Sequence, residues 1–377
     1  MKLKNLLVVA TLSLTTFASC AQELSKAKAE KEADRVYKEQ LNEFVDSFAD
    51  EWEDRVLTNG DYQMPFWYEI NGEKPKNGYA MYISMHGGGG APAQVNDKQW
   101  SNQKKLYGTV DGLYWVPRAP TDEWNLWHQG YMEDFLLKAV SYAVAKLGVD
   151  PNRIYLTGYS AGGDGTFNLA PRLADRFGAA AMMAGHPGDA VAENLRNLPF
   201  AIYMGGQDAA YNRNGLAAEW GVKLDKLEEQ DPNGYIHRVV IYPENGHWMD
   251  NKDKEAIGWM AGFTRNPYPN KVIWIQDDVL AKRKYYLEVE NPTVGKELVV
   301  SYNKASNTIV IEKSDYRKVT IWLNDVMMNL DQEVKVLYKG EEVFCEEVDR
   351  TIDNIEKSAE GRLDRAYIFP AKIEVEL

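Results

Sequence analysis

The stretch Arg153-Ile154-Tyr155-Leu156-Thr157-Gly158-Tyr159-Ser160-Ala161-Gly162-Gly163 decides the reading of this chain. Five residues with a strand pattern (153–157) run into Gly-Tyr-Ser-Ala-Gly, and residues 161–177 then take helical spacing, with Pro171 expected to break or kink the helix. A serine between two glycines on a strand–turn–helix corner is the context of a nucleophile elbow: the turn is tight, so the residues two positions away must be small. The helix that starts after Ser160 directs backbone N–H groups and the positive end of its dipole toward the serine.

Working outward, apolar strands and helical segments alternate. Tyr79–Met85, Gly112–Val116, Ala179–Ala184, Phe200–Met204 and Arg238–Tyr242 read as strands. Helical periods fall at Gln129–Leu147, Leu216–Glu229 and Lys254–Phe263, and Asp150-Pro151-Asn152 reads as a turn. The alternation predicts an α/β domain with a doubly wound, mostly parallel sheet covered by helices on both faces. Upstream, Val36, Leu41, Phe44, Val45, Phe48 and Trp52 keep helical spacing and predict an amphipathic helix packed on the body. Beyond Asn266-Pro267-Tyr268-Pro269-Asn270 the pattern changes to short alternating strands, with one helix near Thr351–Ser358. Residues 35–266 therefore read as the α/β domain with its N-terminal helix, and 271–377 as a smaller β-sandwich-like domain.

A serine hydroxyl needs a base, and the base an orienting acid. Of five histidines, His247 lies in Glu244-Asn245-Gly246-His247-Trp248, a loop following the strand 238–242, where sites form in open α/β sheets. Asp208 follows the strand 200–204 through Gly205-Gly206-Gln207 and completes the chain order Ser, acid, His. Asp189 and Asp164 compete for the acid's place, and Asp225 reads as part of a solvated helix face. The run His86-Gly87-Gly88-Gly89-Gly90 after the strand 79–85 can turn N–H groups toward a developing oxyanion. Gly88 and Ala161 are the expected N–H pair, with Gly87 or Gly89 as alternatives, and His86 reads as a structural hydrogen-bonder. A phosphate-binding loop is disfavoured, because the Gly-x-x-x-x-Gly-Lys pattern is absent.

Together these residues resemble the α/β-hydrolase family, more closely its esterase and poly(3-hydroxybutyrate) depolymerase-like branch, over about residues 75–265. The resemblance implies ester hydrolysis through an acyl-enzyme on Ser160, with His247 as base, Asp208 fixing its tautomer, and no metal or cofactor. The segment after 271 also resembles a small β domain appended to some bacterial hydrolases, around Leu323-Asn324-Asp325 and Asn329-Leu330-Asp331. That part implies no chemistry, and a stabilising module is its default reading. A serine peptidase of the same fold, acyl transfer to an alcohol, and a non-catalytic surface binding lipoprotein are the competing functions.

Composition bounds the rest. The chain has 377 residues, 43 Lys+Arg against 56 Asp+Glu, and a net charge of −13, which disfavours a nucleic-acid partner. Lys2 and Lys4, the uncharged apolar run Leu6–Phe17, and Phe17-Ala18-Ser19-Cys20 resemble a bacterial lipoprotein signal of residues 1–19, with Cys20 as the lipidated residue and 20–34 as a tether that becomes helical. Phe17 departs from the usual Leu; Ala21, rather than Asp, points to the outer membrane. No transmembrane helix is expected after residue 20. The other cysteine, Cys345, reads as a small buried apolar side chain. The chain is rich in Tyr (22) and Trp (11). Trp115, Trp124, Trp127 and His128, with Tyr211, Arg213 and Trp248, are expected on the substrate rim, where aromatic planes suit sugars or aromatic acyl groups. Acylated carbohydrate and hydroxycinnamoyl esters are the substrates so implied.

Overall fold

A computed structural model describes residues 23–108 and 110–377. The expected signal segment and Cys20 lie outside the described residues. Among the described residues, no helix is long and apolar enough to cross a membrane.

The first domain is built on eight strands: β1 (Val56–Asn59), β2 (Tyr62–Asn71), β3 (Tyr79–Met85), β4 (Gly112–Pro117), β5 (Val149–Tyr159), β6 (Ala179–Met183), β7 (Phe200–Gly205) and β8 (His237–Tyr242). Their spatial order is β1-β2-β4-β3-β5-β6-β7-β8. From β4 to β8 all pairs are parallel, while β1 and β2 form an antiparallel hairpin added to the β4 edge. Helices are α1 (Lys26–Glu53), α2 (Ala93–Leu106), α3 (Tyr131–Tyr142), α4 (Ala161–Arg172), α5 (Arg213–Gln230) and α6 (Glu255–Ala261). One face of the sheet is covered by α3, α4 and α5 through Phe135, Phe167 and Trp220. The other is covered by α2 and α6 through Trp100, Leu106, Ile257 and Met260. With both faces dry, β6 and β7 are buried at every residue, which is why they read as continuous apolar runs.

The expected turn at 150–152 is not a break between elements. Asp150 Oδ1 accepts from the Asn152 N–H at 2.9 Å, and the pairing of β3 with β5 jumps between Tyr79↔Val149 and Met81↔Ile154. The turn is thus a bulge within β5. Pro171 sits in the last turn of α4, which ends one residue later.

The second domain is a sandwich. One sheet holds β9 (Lys271–Ile275), β12 (Glu297–Asn303), β13 (Thr308–Ser314), β15 (Val334–Tyr338) and β16 (Glu341–Glu346). The other holds β10 (Arg283–Lys284), β11 (Leu287–Glu288), β14 (Lys318–Leu323) and β17 (Ala371–Glu376). Inward residues such as Val272, Trp274, Val300, Ile309, Ile321 and Ile373 meet in one core, and along β9 the alternate residues Lys271, Ile273 and Ile275 are partly exposed. The helix α7 (Ile352–Ala359) is capped by Thr351, whose side chain accepts from the Asn354 N–H.

The sandwich docks on the C-terminal end of α4. Asp175 accepts from Arg362 and from the Tyr285 N–H, Arg265 pairs with Asp364, and Lys284 Nζ donates to the Pro171 carbonyl at 2.5 Å, all buried. The segment expected as a tether is helical from Lys26. Ala29, Ala33 and Val36 are buried on one face of α1 against Ile355 and Ala359 of α7, and Trp52 at its other end stacks on Tyr142 of α3. Small residues four apart let α1 lie close to α7, so α1 straps both domains together. Cys345, expected in a core, is half-exposed on the edge strand β16.

Candidate active site

Ser160 follows β5 and heads α4 with φ 58° and ψ −120°, a conformation that costs a non-glycine residue of order 1–3 kcal/mol. The surroundings force it. A Cβ on Gly158 would overlap the Gly162 carbonyl oxygen, one on Gly162 the Met85 carbonyl oxygen, and one on Gly163 the Met183 carbonyl oxygen. Hence only glycine lets α4 pass over the ends of β3, β5 and β6. The Ser160 N–H donates to the Met183 carbonyl at 2.9 Å, which fixes the corner.

Three elements bring the polar groups together. His247, in the loop after β8, places Nε2 2.9 Å from Ser160 Oγ. Its Nδ1 lies 2.6 Å from Oδ2 of Asp208, in the loop after β7. The two loops are bonded to each other: the Gln207 N–H donates to the Asn245 carbonyl at 2.9 Å, and a Cβ on Gly205 would overlap the Gly246 carbonyl oxygen. Asp208 is buried and His247 half-exposed, so the acid is shielded while the imidazole opens to the cleft. Of the competing acids, Asp164 Oδ1 accepts from the His186 N–H at 2.6 Å, Asp189 lies beside Asp277 and Asp278, and Asp225 bonds His237 at 3.0 Å.

Tyr159, the variable residue of the elbow, carries a function that its sequence position does not announce. Its hydroxyl donates to the His247 carbonyl at 2.7 Å and accepts from the Met249 N–H at 3.2 Å. Burial raises the phenol's pKa, so the hydroxyl keeps its proton and its hold on the histidine loop.

The glycine loop stands beside the serine. Gly88, Gly89 and Gly90 have φ of 111°, 82° and 58°, open to glycine alone at low cost. The Gly89 N–H is taken by Asn96 Oδ1 at 2.8 Å, which leaves Gly87 and Gly88 as the loop's candidates to face an oxyanion with Ala161. A Cβ on Gly87 would sit 3.1 Å from Ser160 Cβ, so this residue passes nearest the nucleophile. His86 is fully buried beneath the loop. Its Nδ1 donates to the Gly87 carbonyl at 2.6 Å and its Nε2 accepts from the Ala119 N–H at 3.1 Å, as assigned from those partners. Burial pushes its pKa down to about 4, so the ring is a neutral brace.

The expected aromatic rim divides. Trp115 is fully buried against Phe66 on the side of the sheet facing α3, and Trp127 is fully buried with Nε1 donating to the His86 carbonyl at 2.9 Å. Both are packing residues, not substrate contacts: β4 is buried at every residue, and Trp127 is wedged over Gly165. His128 is half-buried, its carbonyl held by Arg172 at 2.9 Å, and burial pushes its ring down to about 4. It does not line the cleft at Ser160. Trp248 does: it is 50% exposed and borders a cleft of about 430 Å³ with Gly87, Gly88, Tyr159, Ser160 and His247. Tyr211 and Trp124 are 78% and 71% exposed, the first near Arg213 beside Asp208, the second over Gly90. Helix α2, which has no clear amphipathic period, closes the cleft with Gln99, Asn102 and Lys105.

Residues 122–276 match the Dienelactone hydrolase family. No curated protein matches the chain in sequence. Among solved structures, a thermostable esterase is similar at 18% identity and a TM-score of 0.43, over 56% of this chain and 62% of that one. The fluorophosphonate-binding serine hydrolase F of Staphylococcus aureus is similar at 14% identity and 0.40, over 55% and 96%. The acetyl xylan esterase of Paenibacillus sp. R4 is similar at 12% identity and 0.39, over 55% and 82%. The chain thus spans less than two thirds of the thermostable esterase.

Proposed function

We propose that this chain is an α/β-hydrolase that acts as a serine hydrolase of carboxylic esters. The observation that carries this is the unbroken relay Asp208–His247–Ser160, at 2.6 and 2.9 Å, at the C-terminal edge of a parallel sheet. His247 Nε2 takes the Ser160 proton as Oγ attacks the ester carbonyl. Charge that develops on the carbonyl oxygen meets the Ala161 N–H at the start of α4 and an N–H of Gly87 or Gly88. The tetrahedral adduct collapses; the alcohol leaves with the proton from His247. Water, deprotonated by His247, then attacks the acyl-enzyme and releases the acid. Asp208 holds the imidazole in the tautomer with Nδ1 protonated and stabilises the imidazolium. Tyr159 acts one step back, as a positioning residue that pins the His247 backbone.

The substrates we propose are acylated carbohydrate or hydroxycinnamoyl esters, with Trp248 as the aromatic surface nearest the nucleophile. Tyr211 and Trp124 stand further out. We also propose that Cys20 is lipidated after cleavage of residues 1–19, which would tether the enzyme to the outer membrane through the few residues before α1. A panel of acetyl, feruloyl and short hydroxyalkanoate esters, with Ser160→Ala as control, tests the activity. Hydrolysis that disappears in the variant supports it; amide cleavage without ester cleavage overturns it in favour of a peptidase.

A further inference from the structure

The cleft at Ser160 does not end at helix α2. Across Lys105 and Leu106 it adjoins a shallow groove of about 580 Å³ bordered by Trp67, Lys104, Asn251 and Lys254. The two hollows share Lys105 and Leu106. Three lysines from two separate elements line this groove, one of them (Lys105) also lining the cleft at Ser160, and Glu69 is the single acid on the groove's wall. Among the described residues none of the three is in an ion pair. Lys104 lies over the Trp100 ring, 3.2 Å from its centroid, while Lys105 and Lys254 are exposed. Lysines in the last turn of α2 also suit that helix's dipole. The dipole does not account for Lys254, which ends the 3-10 turn (Lys252–Lys254) that leads into α6.

In a chain of net charge −13, a cationic path that opens on the nucleophile is out of keeping with the rest of the surface. It would repel nothing that is anionic and would raise the local concentration of anionic substrate. We infer that the groove selects esters carrying carboxylates beside the scissile bond, with those carboxylates at Lys105 and Lys254 while the ester lies at Ser160. The nearby indole rings of Trp248 and Trp67 favour a sugar as the carrier, which makes an acylated uronate-containing oligosaccharide the substrate class. This rests on the proposed esterase reading and narrows it.

The test compares O-acetylated oligogalacturonate with O-acetylated xylo-oligosaccharide, with p-nitrophenyl acetate as a neutral gauge of catalysis. Wild type should prefer the uronate ester in kcat/KM. The ratio should fall about five- to tenfold in K105E/K254E and shrink as salt is raised. A ratio that favours the neutral ester, or one that survives the charge reversal, overturns the inference and leaves the esterase reading intact. Binding of unesterified oligogalacturonate to Ser160→Ala, followed by calorimetry, tests the groove without turnover. Binding that is lost in S160A/K105E/K254E supports it; binding that is absent, or unchanged by the reversal, overturns it. Failure to hydrolyse p-nitrophenyl acetate, by contrast, counts against the esterase reading itself.

Discussion

At the residue scale, each polar group around Ser160 is held by a partner that has no part in bond making. Asp208→Asn keeps the size of the acid but reverses its hydrogen-bonding sense toward His247 Nδ1. The expected loss is about 10²–10⁴-fold in kcat, measured on a p-nitrophenyl ester. Tyr159→Phe removes one hydroxyl and two hydrogen bonds to the histidine loop. With each bond worth about 1 kcal/mol, kcat should fall roughly tenfold or somewhat more, while KM changes little. A rise in KM alone would show that Tyr159 contacts substrate instead. His86 makes a pH prediction. Its folded pKa of about 4 lies below its unfolded value, so the unfolded chain binds the proton first as pH falls. The stability that the neutral ring contributes is present above about pH 6.5 and is lost progressively toward pH 4. His86→Asn cannot charge and should lose roughly 2–3 kcal/mol less than wild type between pH 7 and 4.5, read by denaturant titration at each pH.

At the element scale, the site depends on close passages between loops and helices. Gly205 ends β7 where a Cβ would overlap the Gly246 carbonyl oxygen. Gly205→Ala should push the acid's loop from the base's loop and cost activity far more than stability. Hydrolysis rates compared with melting temperature would separate the two effects, and full activity would show that the contact between the two loops does not position the acid.

The same elements show what was legible beforehand. The order of strands and helices from 79 to 263, and the places of Ser160, Asp208 and His247 after β5, β7 and β8, follow from apolar runs and turn residues whose physics is local. Helix α2 was not legible, because its buried side chains are Asn96 and Gln103 and its apolar face is weak. The hairpin β1–β2 was missed because its apolar residues are mixed with polar ones at 56–71. Trp115 and Trp127 were misplaced for a different reason. Composition locates aromatic residues near a site, yet only the sheet's two-sided cover decides that they face inward. Tyr159 was hidden because its partners lie 88 and 90 residues away. Tyr285 has φ 52° and turns the chain between β10 and β11.

At the scale of the whole molecule, α4 links the two halves. Ser160 stands at its N-terminus and the β-sandwich docks at its far end, about 18 Å away for 12 residues. The interface is held by buried ions, with Arg265 donating to Asp364 at 2.5 and 3.3 Å. Asp364→Ala leaves that guanidinium buried without its partner and should destabilise by about 3–5 kcal/mol. Calorimetry should show one lowered transition rather than two, because α1 and this network tie the domains together. At temperatures where the variant stays folded, its esterase rate should match wild type, since the interface does not reach the cleft. Two well-separated transitions in wild type would mean that the sandwich is an independent appendage.

In the proposed mechanism Ser160 is a nucleophile activated by His247 and Asp208. Its most direct test is treatment of the folded protein with a fluorophosphonate, followed by mass spectrometry of the peptides. One adduct on Ser160, formed rapidly in wild type and slowed by orders of magnitude in His247→Ala, is the expected result. Folded protein that takes up no label, or takes it up equally well without His247, would contradict it.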